Sequence, residues 1–530
     1  MTERTSLMGS QCWSQLLGSC RVQVIQMSTF DTDTPFQITP EQIRTIYAGL
    51  MTATMLASLD GTIVNTALTT IVGDLGGLRA YTWVGTSYLL TSTAITPLIG
   101  KLSDLYGRRI FVQLSVVIFI IASLVCAAAN SMTTLVIGRA LQGIGGGGIM
   151  AMSYVVIADI IAPRDRGRYV GAFMSVFAIS SVAGPLLGGF FVDHMSWRWI
   201  FLINLPIGLV ALYMSTSSLK IPVLKRRISI DYVGMSLLVG AVTGLILVFS
   251  WTSEEYGWTA SINVALSAAV AVMTALFLWW EPRATSPVMP LHLFRNREVY
   301  TLSPLVAMLG GILMAVGTFI PLFLQAVTGI SPTNSGLLLV PMMAAVTISS
   351  VSIGRVTSRT GSYRIFPVVG TGVGIVGVTM LCFIDNSASG VAFVIVGMVL
   401  VGTCVGSTMP VSSIAVQNSV EFHELGVASS VVVLFRSLGS VIGLAAFGAI
   451  LNSQLSGNVD PKFLQQPRSI SQLPEPARTE TLNVLSNAIS MIYKATVPMA
   501  IIAFLLALSL RDKKLSERSA LDQTVEVLSS

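Results

Sequence analysis

Asp60 is the residue of this sequence that is best placed to do chemistry, because it is an acid within an apolar run. It lies in the stretch LASLDGTIVNTALTTIV, from Leu56 to Val72, together with Asn65. Insertion scales put the cost of an aspartate at the centre of a membrane helix at about 2.5–3.5 kcal/mol, so such residues usually face a bundle interior. We therefore predict that Asp60 couples proton movement to the movement of another species.

Arg139 is the predicted partner of Asp60. The stretch GRALQGIGGGG places Arg139 and Gln142 one turn apart on a helix. An arginine inside a membrane span needs a partner, and Asp60 is the acid that lies deepest in an apolar run. Pairing favours the ionised carboxylate, whereas burial favours the neutral one. These opposed effects predict a proton-dependent switch, with a purely structural ion pair as the alternative.

A second candidate stretch is GKLSDLYGRR, from Gly100 to Arg109. Its glycines allow a tight chain reversal and a close helix approach. Asp104 is expected to lie against a helix N-terminus or an arginine, and the two arginines are expected to face the cytoplasm. A degenerate echo, GRVTSRTGSYR from Gly354 to Arg364, predicts an internal duplication. The predicted conformational switch consists of Gly100, Asp104, Gly107, Arg108 and Arg109.

Two further groups of residues are candidates for function. A stretch with proline and small residues, AGPLLGGFF, predicts a bend in a helix and a close helix contact; its residues are Gly184, Pro185, Gly188 and Gly189. Polar residues in other spans are candidates for the wall of a substrate cavity; they are Asn65, Gln142, Gln325 and Arg436. For Arg436, recognition of anionic or zwitterionic groups and simple packing are equally open.

Composition indicates which elements position these residues. Hydrophobic residues make up 53% of the chain, charged residues only 11%, and the mean hydropathy is +0.76. This composition indicates a membrane protein and excludes an ordinary soluble domain. The five cysteines are scattered and show no metal-ligand spacing. We expect no metal and no cofactor.

Fourteen spans of helical length are predicted, because a membrane helix needs about 20 apolar residues. The spans fall near residues 46–70, 80–99, 110–129, 132–157, 169–191, 199–219, 232–251, 259–280, 301–327, 333–353, 365–384, 390–415, 427–452 and 491–510. With the N-terminus in the cytoplasm, 23 of the 31 lysines and arginines fall on the cytoplasmic side. This distribution accounts for the net charge of +6 as a membrane-topology signal and argues against a nucleic-acid partner.

The motifs together resemble the major facilitator superfamily, specifically its fourteen-span drug:proton antiporters. LDGTIVNTAL resembles the acidic first-helix motif, GKLSDLYGRR the loop motif, GRALQGIGGGG the fourth-helix arginine motif and AGPLLGG the antiporter motif. The stretches WRWIFLINLPIG and FRSLGSVIG are also similar to that branch. The resemblance covers residues 45–510, and it departs from the family pattern at Thr69 and Ser358.

The resemblance implies a domain order and an alternating-access mechanism. Two six-helix bundles would rock about a central site, with Asp104 and Arg108 as a cytoplasmic latch near Gly426, and with Asp60 and Arg139 in proton coupling. The expected segments are a polar cytoplasmic arm (1–45), a first bundle (46–220), two inserted helices (221–300), a second bundle (301–510) with an external loop at 453–490, and a cytoplasmic tail (511–530).

The expected function is proton-coupled antiport that exports lipophilic small molecules, such as drugs and dyes, across the plasma or inner membrane. Both termini would be cytoplasmic, the partners would be substrate, protons and lipid, and a monomer is expected. Export of one endogenous lipid, siderophore or antibiotic is an alternative. A non-transporting membrane sensor on a transporter scaffold is an alternative from another class. No set of residues predicts an enzyme.

Overall fold

The computed structural model describes most of the predicted membrane region. The described residues are 40–75, 81–218, 231–251, 260–285, 287–326, 338–384, 388–421, 424–455, 477–511 and 515. Most of the predicted N-terminal arm and C-terminal tail, and much of the predicted external loop, therefore lie outside the described residues.

All the long secondary-structure elements among the described residues are helices. The first half contains α1 (Pro40–Leu75), α2 (Tyr81–Tyr106), α3 (Arg108–Ala127), α4 (Met132–Ile160), α5 (Pro163–His194), the short α6 (Trp199–Leu202) and α7 (Asn204–Ser218). Two helices follow, α8 (Tyr232–Trp251) and α9 (Ser261–Trp280), and then two 3-10 turns, Glu281–Arg283 and Leu291–Arg295. The second half contains α10 (Arg297–Ala326), α11 (Val340–Thr360), α12 (Ile365–Leu381), α13 (Ala388–Asn418), α14 (Leu425–Leu455) and α15 (Ala477–Leu508).

These apolar segments are helical because backbone groups inside a bilayer must form hydrogen bonds with one another. They are long because a helix needs about 20 residues to cross the hydrocarbon. Within the described residues, eleven helical segments are long and apolar enough to cross a membrane, and Ile365–Leu381 is a shorter apolar helix. The structure thus supports an all-helical, multi-pass protein. The count of fourteen spans stays a prediction.

Two helices extend beyond the spans predicted for them. The first helix begins at Pro40 rather than near residue 46, and α15 begins at Ala477, inside the segment predicted as an external loop. The start of α15 is polar on one face only, since Leu485, Ala488 and Ile489 are buried in the core of the second half. Apolar residues at this helical spacing stabilise a helix against the bundle although the average composition is polar.

The predicted loop from Gly100 to Arg109 is also mostly helical. The helix α2 continues to Tyr106, α3 begins at Arg108, and only Gly107 separates them, with φ of 99°. Glycine takes this left-handed backbone region without the steric cost that a Cβ atom brings. The stretch is therefore a one-residue reversal between two helices. We call the membrane side on which this reversal lies the turn side.

The two halves contact each other through helix ends on the turn side. A Cβ atom added at Gly167 of α5 would lie 2.5 Å from the carbonyl oxygen of Gly354 on α11, and one at Gly171 would lie 2.5 Å from that of Ser350. Arg164 donates to the Ser358 carbonyl oxygen at 3.0 Å. Small residues here allow the helix backbones of the two halves to touch.

The inserted helices pack against one edge of this assembly. The helix α8 contacts α2 of the first half and α14 of the second, and α9 contacts α8. Large apolar side chains of α9 are exposed, among them Val272, Leu276 and Trp279. This apolar face is suited to lipid, because the hydrocarbon of a bilayer solvates such side chains.

Candidate functional site

Asp60 lies on α1 at the centre of a buried hydrogen-bond network, and it is 0% exposed. Its Oδ2 atom accepts a hydrogen bond from Nη1 of Arg139 at 2.5 Å. Its Oδ1 atom accepts one from Nε2 of Gln142 at 2.7 Å and one from Nδ2 of Asn204 at 2.8 Å. All three of these donors are N–H groups, which is the arrangement that suits an ionised carboxylate.

Arg139 is fixed by more than the ion pair. Its Nη1 atom also donates to Oε1 of Gln142 at 2.7 Å, and its Nε atom donates to the carbonyl oxygen of Val84 at 3.3 Å. The guanidinium lies over the ring of Tyr88, with Cζ 4.5 Å from the ring centroid. These contacts satisfy a cation that is 2% exposed, and a buried charge requires such partners.

Ser123 of α3 joins the two amides from the other side. Its Oγ atom accepts from Nε2 of Gln142 at 2.9 Å and from Nδ2 of Asn204 at 3.2 Å, and it donates to the Phe119 carbonyl oxygen at 2.8 Å. The network therefore draws on α1, α2, α3, α4 and α7. All of these helices belong to the first half of the molecule.

The glycine run of α4 explains why these helices come close enough to share the network. A Cβ atom at Gly143 would lie 2.4 Å from the carbonyl oxygen of Tyr88 on α2, and one at Gly145 would lie 2.7 Å from that of Ser115 on α3. Neither distance leaves room for a side chain, so glycine is required for this spacing of the backbones. The helices on both sides of α4 are thereby brought to Arg139 and Gln142.

The structure brings together the predicted pair of Asp60 and Arg139. Gln142 was expected on a substrate cavity wall, but it is fully buried in the network, because its amide bonds both charged side chains. Asn204 was missed, although an asparagine in the apolar stretch WIFLINLPIG is a signal of the kind that drew attention to Asp60. Its position follows from a helix break: α6 ends at Leu202 and Asn204 begins α7.

A second cluster lies on the turn side. Asp104 forms an ion pair with Arg108, and its carboxylate faces the first turn of α14, where a Cβ atom at Gly426 would be 2.4 Å from Oδ1. A Cβ atom at Gly100 would lie 2.0 Å from Oγ of Ser430 and 2.9 Å from the Gly426 carbonyl oxygen. Asp104 and Gly100 of this motif thus both contact α14 in the other half.

The two arginines of the motif have different surroundings, and one prediction about them is wrong. Arg108 was expected to face the cytoplasm, but it is buried and donates to Oδ2 of Asp159 at 2.7 Å and to Oγ of Ser103 at 2.7 Å. Two carboxylates draw it inward, since a guanidinium can bond several oxygens. Arg109 is more exposed and donates to the Thr216 carbonyl oxygen at 3.0 Å. Both sets of contacts lie within the first half.

The remaining candidates are placed as follows. Gly184 packs against α1, where a Cβ atom would lie 2.1 Å from Oγ1 of Thr62, and α5 is continuous past Gly188 and Gly189. The side chains of the last three candidates lie outside what the structure describes; they are Asn65, Pro185 and Gln325.

Arg436 lies on α14, roughly 16 Å from the start of the helix at 1.5 Å per residue. Val433, one turn earlier, is buried in a cluster with residues of the first half, whereas Arg436 is half-buried. The helix α14 has neighbours in both halves and in the inserted pair, so Arg436 lies on a helix that connects them. Within the part of the chain that the structure describes, the ion pairs do not include Arg436.

A multi-pass helical bundle in two halves, with an ion pair buried inside one half, is typical of membrane transporters. Comparison with known proteins gives the family. The family model of the Major Facilitator Superfamily matches residues 50–444. The chain therefore belongs to the Major Facilitator Superfamily.

Named relatives include bacterial multidrug transporters. Multidrug transporter protein MdtP of Bacillus subtilis is 34% identical, covering 90% of this chain and 95% of its own. Multidrug resistance protein 3 of the same organism is 32% identical, covering 86% and 93%. Among solved structures, the human organic anion transporter MFSD10 (TETRAN) matches with a TM-score of 0.58 over 87% of this chain and 100% of its own. At 13% identity, this last likeness shows the fold alone.

Proposed function

We propose that the protein exports lipophilic small molecules in exchange for protons, by alternating access of its two halves to the two sides of the membrane. The observation that carries the proposal is Asp60, a carboxylate that is buried in the bundle and held by Arg139, Gln142 and Asn204. Proton binding would remove the charge that Arg139 neutralises. An uncompensated buried cation is costly, so protonation would favour a different arrangement of the first half.

The turn side is proposed to be the cytoplasmic side of the cell membrane, with both termini on it. The excess of lysine and arginine in the predicted cytoplasmic segments supports this orientation. The contacts of Gly100 with Ser430 and of Gly167 with Gly354 would then close the cytoplasmic entrance in this state. Separation of these helix ends would admit substrate from the cytoplasm.

Substrate is proposed to bind in the space bordered by Arg436, with Asn65 and Gln325 as further polar candidates. The relatives named multidrug transporters support small molecules as substrates. The guanidinium of Arg436 would favour anionic or zwitterionic groups. Transport of an anionic and a cationic dye by Arg436→Gln tests its role, and equal effects on both dyes would assign Arg436 to packing.

The function is tested in inverted membrane vesicles that contain the wild type or Asp60→Asn. A proton gradient is imposed, a panel of fluorescent lipophilic dyes is added, and dye movement and collapse of the gradient are recorded together. The wild type is expected to move dye and to dissipate the gradient, and Asp60→Asn to do neither.

Equal performance of the two proteins would place the coupling carboxylate elsewhere. If folded wild type moves no dye of a broad panel, export of one endogenous compound becomes the better account. The matched control is Asp74→Asn, which changes an exposed carboxylate in the last turn of α1. An amide oxygen can still accept the hydrogen bond from Nε1 of Trp197, so transport is expected to be unchanged.

A further inference from the structure

Two amides bind the same pair of oxygen atoms in the buried network. Nε2 of Gln142 and Nδ2 of Asn204 each donate to Oδ1 of Asp60 and to Oγ of Ser123, with distances between 2.7 and 3.2 Å. As donors to the carboxylate, the two amides are therefore equivalent. They differ in what their carbonyl oxygens contact.

The carbonyl oxygen of Gln142 is engaged and that of Asn204 is not. Oε1 of Gln142 accepts from Nη1 of Arg139 at 2.7 Å and from the thiol of Cys126 at 3.8 Å. Oδ1 of Asn204 is buried and has no hydrogen-bond partner among the described residues. A buried acceptor without a partner is unfavourable, so this orphan oxygen calls for an explanation.

Protonation of Asp60 changes what the network needs. An ionised carboxylate only accepts hydrogen bonds, whereas a protonated one has an O–H group that requires an acceptor. Few of the side chains that face Asp60 from neighbouring helices have an acceptor atom that is available to this O–H group. Arg139 has no acceptor atom, and the oxygen of Gln142 is held by Arg139. Tyr88 lies beneath the guanidinium, and Cys126 donates to Gln142.

We propose that Asn204 is the positioning residue that accepts the hydrogen bond of protonated Asp60, by turning its amide half a turn so that Oδ1 replaces Nδ2. This proposal rests on the proposed function, since it assumes that Asp60 takes up the transported proton. The turn gives the orphan oxygen a partner; it breaks the two bonds of Nδ2, to Asp60 and Ser123, but none of Oδ1. A turn of the Gln142 amide would instead break its bond with Arg139.

This rotation of the Asn204 amide also couples protonation of Asp60 to the position of a helix. When Nδ2 of Asn204 leaves Asp60, it also leaves Oγ of Ser123, so the side-chain bond between α7 and α3 is lost. Asn204 is the first residue of α7 and follows the break after α6. The start of α7 is thus released from α3 when Asp60 is protonated, and held to it when Asp60 is ionised.

The test is infrared difference spectroscopy of the full-length protein in lipid, between high and low pH. The carbonyl stretching band of protonated Asp60 is identified as the band that is missing in Asp60→Asn. A hydrogen-bonded carboxylic acid absorbs at lower frequency than a free one. In Asn204→Leu, which is close in shape but has no acceptor, we expect the Asp60 band to move to higher frequency. Asn204→Ala, which cannot introduce a clash, is expected to give the same direction of shift.

Ser123→Ala is the matched control, because it removes the other oxygen shared by the two amides and leaves Oδ1 of Asn204 in place; its Asp60 band is expected at the wild-type frequency. The proposal for Asn204 is overturned if the Asp60 band keeps the wild-type frequency in both Asn204 variants while their unfolding temperatures equal that of the wild type. The proposed function would not be affected by that result. Absence of any Asp60 band in wild type across the pH range would overturn proton binding at Asp60, and with it the proposed function.

Discussion

Two carboxylates of the first half, the buried Asp60 and the half-buried Asp104, are held in different ways. Asp60 bonds N–H groups of Arg139, Gln142 and Asn204, all from its own half. Asp104 forms an ion pair with Arg108 in its own half. Its carboxylate also lies against Gly426, in the first turn of α14 in the other half.

The difference shows which carboxylate senses the relative position of the halves. If the halves rock as rigid units, the bonds of Asp60 do not change, whereas the contact between Asp104 and α14 is made or lost. If Asp60 binds the transported proton, as proposed, the proton must therefore act by rearranging helices within the first half. Asp104 and Gly100 report the result at the interface. Four substitutions test this division, and they follow from the largest expected effect to the smallest.

Arg139→Leu is expected to give the largest loss of stability. It leaves the Asp60 carboxylate in the bundle without its cation, and breaking a buried ion pair from one side costs about 3–5 kcal/mol. The measurement is thermal unfolding in detergent. The double variant Asp60→Asn, Arg139→Leu removes both charges and is expected to recover most of the loss. An unchanged unfolding temperature in the single variant would show that the pair does not stabilise the first half.

Gly100→Val is expected to prevent closure of the turn side. The new side chain would meet the backbone oxygen of Gly426, which a rotamer change cannot move, and overpacking of this kind costs about 1–3 kcal/mol. The ratio of closed to open molecules should fall roughly 5- to 150-fold. Spin labels at Tyr106 and Val356, in a protein without native cysteines, would report longer distances than in the wild type.

Gly85→Val is the matched control for that experiment. It lies on the same helix, α2, and a Cβ atom added there meets nothing within 4 Å. The label distances of this variant should equal those of the wild type. If Gly100→Val also keeps the wild-type distances, the contact between Gly100 and α14 does not limit closure.

Asp104→Asn is expected to weaken closure less than Gly100→Val does. The substitution keeps the shape of the side chain and removes its charge from the N-terminus of α14, where a helix dipole stabilises an anion by about 0.3–1 kcal/mol, and up to ~2 kcal/mol when partly buried. The same label pair would show a partial shift toward longer distances. Unchanged label distances would mean that the Asp104 carboxylate stabilises only the ion pair with Arg108 in its own half.

Arg109→Ala is expected to have the smallest effect. Its guanidinium bonds the Thr216 carbonyl oxygen near the surface, so a stability change within about 0.5 kcal/mol is expected. Its neighbour Arg108 is buried between Asp104 and Asp159, and Arg108→Ala should unfold at a clearly lower temperature. Equal unfolding temperatures of the two variants would contradict the difference in burial on which this contrast depends.

The residues of this site that could be predicted from the sequence are the charged ones, whose insertion into a membrane is energetically unfavourable. A carboxylate and an arginine in apolar spans are each so unfavourable alone that their pairing could be inferred across 79 residues. The glycine run of α4 is also visible in the sequence, and small residues of this kind allow helices to approach closely. The partnership of Asp60 with Asn204 could not be inferred in this way, because a neutral amide in a span does not require one particular partner.

Element boundaries depended on tertiary contacts that composition does not reveal. The start of α15 is polar on average, yet its apolar face packs into the second half, so a segment predicted as a loop is helical. The motif from Gly100 to Arg109 was predicted as a loop because of its glycines and charges. Only Gly107 breaks the helix there, while Gly100 makes a contact between helices.

Exchange of substrate for protons, as proposed, requires that substrate binding release the proton held by Asp60, and proton release from purified protein tests this requirement most directly. Protein in weakly buffered detergent is held at a pH at which Asp60 is protonated, and a dye that the vesicle assay has identified as substrate is added. The account predicts that dye binding releases protons from the wild type and none from Asp60→Asn, although both bind the dye. Equal proton release from the two proteins, or dye binding to the wild type with no proton release, would contradict it.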